Sequence, residues 1–328
     1  MARSQLLLKL VQAGKDGDKQ LFYQTVEAII AEEASKNHHV LAERLRNIIN
    51  SIPSKTKNNQ TSFVSFSNNL AHSLLDEIHP KIRLDELVLS EYVRDICMDF
   101  IEEHFRRDLL RSFNLEPRNR ILLAGPPGNG KTSIAEALAY ELMVPLFVVR
   151  YDSLIGKYLG ETSTRMKQLF NEVKTQNCVL FFDEFDAIGK ERGDINETGE
   201  IKRIVSSLLL EIDNLPSHVV IVTATNHPEL LDKAVWRRFQ IKLEIHKPDR
   251  YQIEKWLEEM QIQLGIYLGY TSEYLAKELH GLSFAEIKEF LLSVKRRAVL
   301  SMQQDNAEKI VKKQLDYLKK QYKSESGE

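Results

Sequence analysis

The spacing of apolar residues changes three times along the chain. Over residues 1–50, apolar positions recur at helical spacing in three stripes, which predicts a small N-terminal bundle of helices. Residues 51–72 are rich in Ser, Asn, Lys, Thr and Gln with little apolar density, which is typical of a flexible linker. We therefore expect an N-terminal helical module that binds a substrate or partner, tethered to a larger body.

The body opens with alternating strand and helix patterns, between residues 73 and 247. Its apolar runs are short and continuous, so both faces of each predicted strand would be buried. Such strands, separated by helical stretches, predict an α/β fold with a parallel five-stranded sheet flanked by helices. We expect the strands at residues 120–124, 145–150, 178–182, 219–224 and 241–245.

Beyond Pro248 only the helical period remains. Amphipathic stretches cover residues 250–264, 272–280, 284–300 and 306–323. Residues 248–328 are therefore expected to form an all-helical lid.

A phosphate-binding motif follows the first strand of the predicted parallel sheet. It reads G-P-P-G-N-G-K-T and lies between a predicted strand and a predicted helix. Glycines let backbone N–H groups surround a polyphosphate, Lys131 can reach the terminal phosphates, and the Thr132 hydroxyl can hold Mg²⁺. We interpret this segment as a nucleoside triphosphate site, with candidate residues Gly125, Pro126, Pro127, Gly128, Asn129, Gly130, Lys131, Thr132 and Ser133.

Two carboxylates follow the apolar run at residues 178–182. Asp183 would lie at the end of a buried strand beside the phosphate motif, where it can hold Mg²⁺ together with Thr132. Glu184 can then polarise an attacking water. An acidic pair can also simply end a strand, but one that follows a phosphate motif favours a hydrolase. The N-K-x-D motif of a GTPase does not occur in the sequence.

Composition restricts the class of protein without naming its function. The 328 residues are 43% hydrophobic with a net charge of −2, as expected of a soluble protein of two or three domains. No apolar run approaches the ~18 residues of a membrane span. Cys97 and Cys178 lie within apolar patterns and predict buried thiols in a reducing compartment, so we expect a cytoplasmic protein. The H-E-x-x-H motif of zinc proteases does not occur.

Over roughly residues 80–300 these motifs resemble those of an AAA ATPase, from the AAA clade proper of the AAA+ superfamily. The segment I-V-T-A-T-N, ending at Asn226, is similar to the family's sensor-1 strand, whose asparagine helps position the lytic water. Residues 231–239 resemble the segment with paired arginine fingers, which implies that Arg237 and Arg238 reach the γ-phosphate of a neighbouring subunit. The alternative is that these arginines form surface ion pairs.

The expectations for nucleotide selection and for the lid depend on the same resemblance. Residues 281–287 contain no sensor-2 arginine, in agreement with the AAA clade proper. Residues 84–88 would contact adenine through the backbone, so a preference for ATP over GTP is implied by the family. The implied cofactors are ATP and Mg²⁺, and the implied activity is Mg-dependent hydrolysis of ATP to ADP and phosphate.

A candidate substrate-gripping loop lies between the second and third predicted strands. Lys157, Tyr158, Leu159 and Gly160 resemble the family's pore loop, which projects into a ring's central channel and pulls polypeptide. Tyr158 would offer a large contact face that tolerates many sequences. The alternative is that Tyr158 is a core aromatic. Residues 189–199, which are polar and charged, form a second candidate loop.

Three functions are compatible with these features. A ring-forming unfoldase or remodeller, most simply a homohexamer, would thread protein substrates through its pore. A nucleic-acid AAA+ machine would favour basic surfaces and a sensor-2 arginine, which the near-neutral charge does not support. A nucleotide-switched scaffold is the third. The N-terminal helices resemble those of bacterial stand-alone AAA ATPases encoded beside subtilisin-like proteases, which implies a separate protease as a partner. The lack of a long apolar run and the near-neutral charge predict neither a membrane nor nucleic acid as a partner.

Overall fold

The computed structural model describes residues 74–154, 159–186, 197–301 and 307–325, together with residues 6, 9–12, 15, 19–35, 41–42 and 45–46 near the start of the chain. The segment expected to be a linker, residues 51–72, lies outside the described residues.

A mostly parallel sheet forms the centre of the body. Its strand order is β1-β3-β4-β5-β2-β6, and the five strands β2 to β6 pair in parallel at the positions that the apolar runs predict. The strands are β1 (Leu75–Ile78), β2 (Arg120–Ala124), β3 (Leu146–Val149), β4 (Cys178–Phe182), β5 (Val219–Thr225) and β6 (Ile241–Glu244).

The sixth strand, β1, was not predicted from the sequence. It pairs antiparallel with β3 at the edge of the sheet, with Leu75 opposite Val149. Its four residues, Leu-Asp-Glu-Ile, include two exposed acids. Because edge strands are short and often charged, such a segment has no apolar run to reveal it.

Helices cover both faces of the sheet and form the lid. Two shorter 3₁₀ turns span Leu84–Glu86 and Pro228–Leu230. The helices are α1 (Lys19–Ser35), α2 (Glu91–Phe105), α3 (Arg107–Ser112), α4 (Lys131–Leu142), α5 (Tyr151–Leu154), α6 (Leu159–Val173), α7 (Glu197–Asp213), α8 (Lys233–Trp236), α9 (Arg250–Leu264), α10 (Ser272–Glu278), α11 (Phe284–Ser301) and α12 (Ala307–Glu325).

Alternate side chains of each central strand enter two different cores. Leu122 and Leu180 pack with α6 and α7 on one face, whereas Leu123 and Phe181 pack with α2 and α4 on the other. Both faces are therefore buried, as continuous apolar runs predict. The two cysteines are also buried as expected, and burial raises the pKa of the Cys97 thiol to about 12.

The four lid helices enclose a third core, and their bounds lie within two residues of those predicted. Asp249 and Gln252 form a capping box at the start of α9, and Gly265 ends that helix in the left-handed conformation. Near the start of the chain, Val26 and Ile30 of α1 pack against Ala42. Within the parts of the chain that the structure describes, no helix is long and apolar enough to cross a membrane.

Candidate nucleotide-binding site

Three parallel strands bring the predicted site residues to one edge of the sheet. Ala124 at the end of β2 is opposite Thr225 in β5, and Phe182 at the end of β4 is opposite Thr223. The phosphate motif, the acid pair and Asn226 each follow one of these strands. In open α/β sheets, ligands bind outside such carboxyl ends.

Residues 125–130 form the phosphate loop between β2 and α4. Gly125 has φ +147°, and a Cβ there would lie 2.0 Å from the Ile245 carbonyl oxygen, so a side chain cannot be accommodated. Asn129 is only 3% exposed, and its amide donates hydrogen bonds of 3.2 and 3.3 Å to the carbonyls of the two preceding prolines. These contacts fix the path of the loop.

Lys131 joins the phosphate loop to the candidate sensor asparagine. Its ammonium donates hydrogen bonds to the carbonyls of Gly125 and Pro126, at 2.6 and 2.9 Å, and to Oδ1 of Asn226, at 2.7 Å. Burial lowers the pKa of Lys131, and the charges of two nearby aspartates oppose that shift. A bound polyphosphate would add negative charge beside this ammonium and favour its charged form.

The acid pair, Asp183 and Glu184, lies beside the start of α4. The Thr132 hydroxyl donates to Oδ2 of Asp183 over 3.3 Å. A hydroxyl and a carboxylate this close are oxygen donors of the kind that Mg²⁺ takes with water and phosphate oxygens, so the residues present fit that ion.

Glu184 has an unusual backbone conformation. Its φ is +50°, which is uncommon for a non-glycine residue, and its N–H donates to Oδ1 of Asp183 over 2.9 Å. The next residue, Phe185, is buried, and its N–H donates to the Ala224 carbonyl of β5 over 2.8 Å. The turn is thus held from both sides, and the Glu184 side chain remains exposed in the pocket.

Asp186 belongs to the site although it was not singled out from the sequence. It is 5% exposed, and its Oδ1 accepts hydrogen bonds from the Thr225 hydroxyl at 2.9 Å and the Asn226 N–H at 3.4 Å. Asp186 therefore holds the end of β5 from which Asn226 extends. Its position three residues after Asp183 was the available signal, but the apolar pattern does not reveal which acid is buried.

A pocket of about 490 Å³ joins these groups to the lid. The lid contributes Trp256 and Phe284, whose ring centroids are 5.5 Å apart, and the exposed Lys288. The remaining lining residues are Glu86, Leu87, Val88, Leu89, Pro127, Gly128, Asn129, Gly130, Lys131, Thr132, Ser133, Asp183, Glu184, Asn226 and Ala285.

The pocket lining combines polar and apolar side chains. Of residues 84–88, expected near a base, Glu86, Leu87 and Val88 line the pocket, and Leu89 follows them. Leu87, Leu89 and the aromatic pair of the lid are apolar lining groups of a kind suited to a flat ring. The lid also contacts the phosphate loop, because Ala285 N–H donates to the Gly128 carbonyl over 3.0 Å. Residues 281–287 contain no arginine, but Lys288, the next residue, places a cation at the pocket.

The two candidate arginine fingers, Arg237 and Arg238, lie outside the pocket lining, and they differ in their exposure and in their ion pairs. Arg238 Nε lies 2.8 Å from Oδ2 of Asp213, whose Oδ1 accepts a 2.6 Å hydrogen bond from Arg120. Arg237, at the end of α8, is exposed and forms no ion pair within the described part of the chain. The ion-pair alternative thus applies to Arg238 but not to Arg237.

The candidate gripping residues are only partly described. Lys157 and Tyr158 lie outside the described residues. Leu159 and Gly160 begin helix α6, where the sequence predicted a loop. The second candidate loop also lies largely outside the described residues, and its last residues, from Glu197, begin α7.

Lys131→Ala is expected to weaken nucleoside triphosphate binding by at least about 100-fold, because it removes a charge-assisted contact to phosphate in a partly buried site. Equilibrium titration with a fluorescent nucleotide measures the effect. Lys242→Ala, an exposed lysine on β6, is the control for loss of one positive charge. Binding within a few-fold of wild type would contradict this role of Lys131.

One protein family matches the region that begins at β2, and individual proteins from other organisms match most of the chain. Residues 121–247 match the family described as "ATPase family associated with various cellular activities (AAA)". The chain is 37% identical to an uncharacterized AAA family ATPase of Sinorhizobium fredii, over 88% of this chain and 87% of that protein. It is 32% identical to a putative 26S proteasome regulatory subunit homolog of Methanothermobacter marburgensis, over 75% of this chain and 65% of that protein.

The chain is also 36% identical to the ATP-dependent zinc metalloprotease FtsH 1 of Salinibacter ruber, over 57% of this chain and 29% of that protein. The motifs, the fold and these matches agree along the same residues. The chain belongs to the AAA family of ATPases.

Proposed function

We propose that this protein is a ring-forming remodeller that hydrolyses ATP and uses the energy to thread polypeptide through a central pore. The observation that carries the hydrolytic part is the convergence of Lys131, Asn226 and the acid pair at one pocket. The relatives include a proteasome regulatory subunit homolog and a protease, and that favours a protein substrate over nucleic acid.

In this mechanism, Lys131 and Thr132 bind the β- and γ-phosphates. Thr132 and Asp183 would hold Mg²⁺, which supplies charge neutralisation on the phosphate oxygens. Glu184 accepts a proton from water as the water oxygen attacks the γ-phosphorus and the bond to the bridging oxygen of ADP breaks. Asn226, held by Asp186 through its own backbone N–H, orients the water and the γ-phosphate.

A neighbouring subunit would complete the site. Arg237 does not line the pocket of its own chain and has no ion-pair partner among the described residues, so it is available to a second copy. A guanidinium added in this way stabilises charge on the transferred phosphoryl group and makes hydrolysis depend on assembly. We propose a homohexamer as the assembled form.

The remaining segments would serve the substrate. Residues 1–50 would select it, the linker at 51–72 would give that module reach, and the lid at 248–328 would move with nucleotide state. A separate protease, of the subtilisin-like kind that the N-terminal resemblance implies, would degrade what the ring unfolds.

Tyr158→Ala is expected to leave ATP hydrolysis within about twofold of wild type and to abolish the holding of protein substrates, because a large contact face is lost without change to the nucleotide site. The test places this change in a Glu184→Gln background, purifies the protein from its own cells with Mg-ATP and identifies the co-purifying polypeptides.

Tyr267→Ala, which truncates an 80% exposed tyrosine of the lid, is the control. Polypeptides that remain bound after Tyr158→Ala would contradict the gripping role. Co-purifying nucleic acid in place of polypeptide would overturn the threading proposal.

A further inference from the structure

Residues 87–89 line the pocket although they belong to no helix or strand. They connect the 3₁₀ turn at Leu84–Glu86 to α2, so their backbone groups must find hydrogen-bond partners outside regular structure. The Leu87 N–H donates to the Leu84 carbonyl over 3.3 Å. The Leu87 carbonyl accepts a 2.7 Å hydrogen bond from Nη2 of Arg94, which lies in the first turn of α2.

Side chains of α4 hold the residues that precede this segment. Glu136 accepts hydrogen bonds from the N–H groups of residues 81 and 82, at 2.9 and 3.3 Å, and Glu141 accepts one from the Leu84 N–H at 3.1 Å. Both acids belong to the helix that follows the phosphate loop. Past the 3₁₀ turn, Arg94 is the one side chain of the described structure that holds a backbone group of the pocket-lining segment.

The contact with Arg94 also fixes the direction of the next N–H group. The peptide group that joins Leu87 to Val88 is planar and trans, so its carbonyl and its N–H point in opposite directions. Because the carbonyl points to Arg94, the Val88 N–H points away from that guanidinium. Val88 lines the pocket and Arg94 does not, and no hydrogen bond among the described residues uses the Val88 N–H. This donor is therefore available to a ligand.

We propose that Arg94 is a positioning residue that makes the site selective for adenine: by holding the Leu87 carbonyl, it keeps the Val88 N–H directed at the base as a donor. The ring nitrogen N1 of adenine is an acceptor, whereas N1 of guanine carries a proton, and the exocyclic groups beside N1 are likewise reversed. A fixed donor therefore favours adenine, and a site built around one hydrogen-bonding pattern rejects the reverse pattern.

Loss of Arg94 would leave this peptide group able to rotate. Rotation would replace the Val88 N–H by the Leu87 carbonyl, and an acceptor fits the protonated N1 of guanine. Arg94 itself touches no part of the base, and the inference rests on the nucleotide binding of the proposed function.

Arg94→Met tests the proposal because it removes the guanidinium and keeps an unbranched apolar stem. Isothermal titration with ADP and with inosine diphosphate measures base selectivity, since hypoxanthine has the protonated N1 and the exocyclic oxygen of guanine without its 2-amino group. Wild-type protein should bind ADP at least about 10-fold more tightly. In the variant, the ratio of the two Kd values should fall about 10-fold, as expected for the loss of about one hydrogen bond.

Steady-state hydrolysis separates a positioning role from a general loss of structure. In Arg94→Met, kcat for ATP should stay within twofold of wild type and KM should rise, because the phosphate-binding groups and Glu184 are unchanged. Arg94→Lys should restore most of the selectivity, because the contact uses a single donor atom. Arg107→Met, at an exposed position of α3, is the control.

An unchanged ratio of Kd values in Arg94→Met, or equal weakening of both nucleotides, would overturn the inference. A wild-type protein with no preference for ADP over inosine diphosphate would also overturn it, while leaving the ATPase proposal intact. Since binding of diphosphates requires no hydrolysis, a wild-type protein that selects ADP but does not hydrolyse ATP would overturn only the proposed function.

Discussion

Glu184→Gln is expected to lower kcat for ATP hydrolysis by about 10²–10⁴-fold, the usual contribution of a positioned general base. Glutamine has nearly the same size as glutamate and the same backbone strain at φ +50°, so the turn after β4 should be retained. What is lost is the ability to accept a proton from water. Nucleotide binding should stay within about twofold of wild type, because the phosphate-binding groups are unchanged.

Steady-state phosphate release and a fluorescent-nucleotide titration measure the two quantities. Glu258→Gln, at an exposed position of α9, controls for the loss of a carboxylate elsewhere in the chain. A kcat within tenfold of wild type would show that Glu184 is not the base. Weak nucleotide binding, in contrast, would show that the Glu184 carboxylate supports the architecture of the site. The structure does not suggest such a role, because the hydrogen bonds that hold this part of the site are accepted by Asp183 and Asp186.

Local sequence was sufficient to predict the parallel strands and the phosphate loop. A continuous apolar run followed by a glycine-rich motif encodes both a strand and the turn that ends it. Once the strands are known to be parallel, the convergence of Lys131, Asp183 and Asn226 follows, because the carboxyl ends of parallel strands share one edge.

Features that depend on distant parts of the chain could not be predicted in this way. Trp256 and Phe284 lie in amphipathic lid helices, where aromatic residues are typical of a core, and only the docking of the lid brings them to the pocket. The burial of Asp186 shares this property, because burial of a polar atom depends on what packs against it. The difference between Arg237 and Arg238 likewise depends on Asp213, at the end of α7.

That difference between the two arginines predicts unequal effects of their removal. Arg237→Ala is expected to lower kcat by about 10³-fold or more without loss of stability, because its exposed side chain has no ion-pair partner in the described structure. Arg238→Ala instead removes a partly exposed ion pair with Asp213, which should cost about 0.5–1 kcal/mol of unfolding free energy. Phosphate release and thermal unfolding of both variants distinguish these outcomes.

A mixing experiment tests whether Arg237 acts on a neighbouring subunit. Neither Arg237→Ala nor Lys131→Ala protein should hydrolyse ATP alone, the first for want of a finger and the second for want of bound nucleotide. In mixed rings, a Lys131→Ala subunit can still offer Arg237 to an Arg237→Ala neighbour that binds ATP, so hydrolysis should recover in part. If mixing restores nothing although mixed rings form, Arg237 does not act in trans, and a larger kcat loss in Arg238→Ala would assign that role to Arg238.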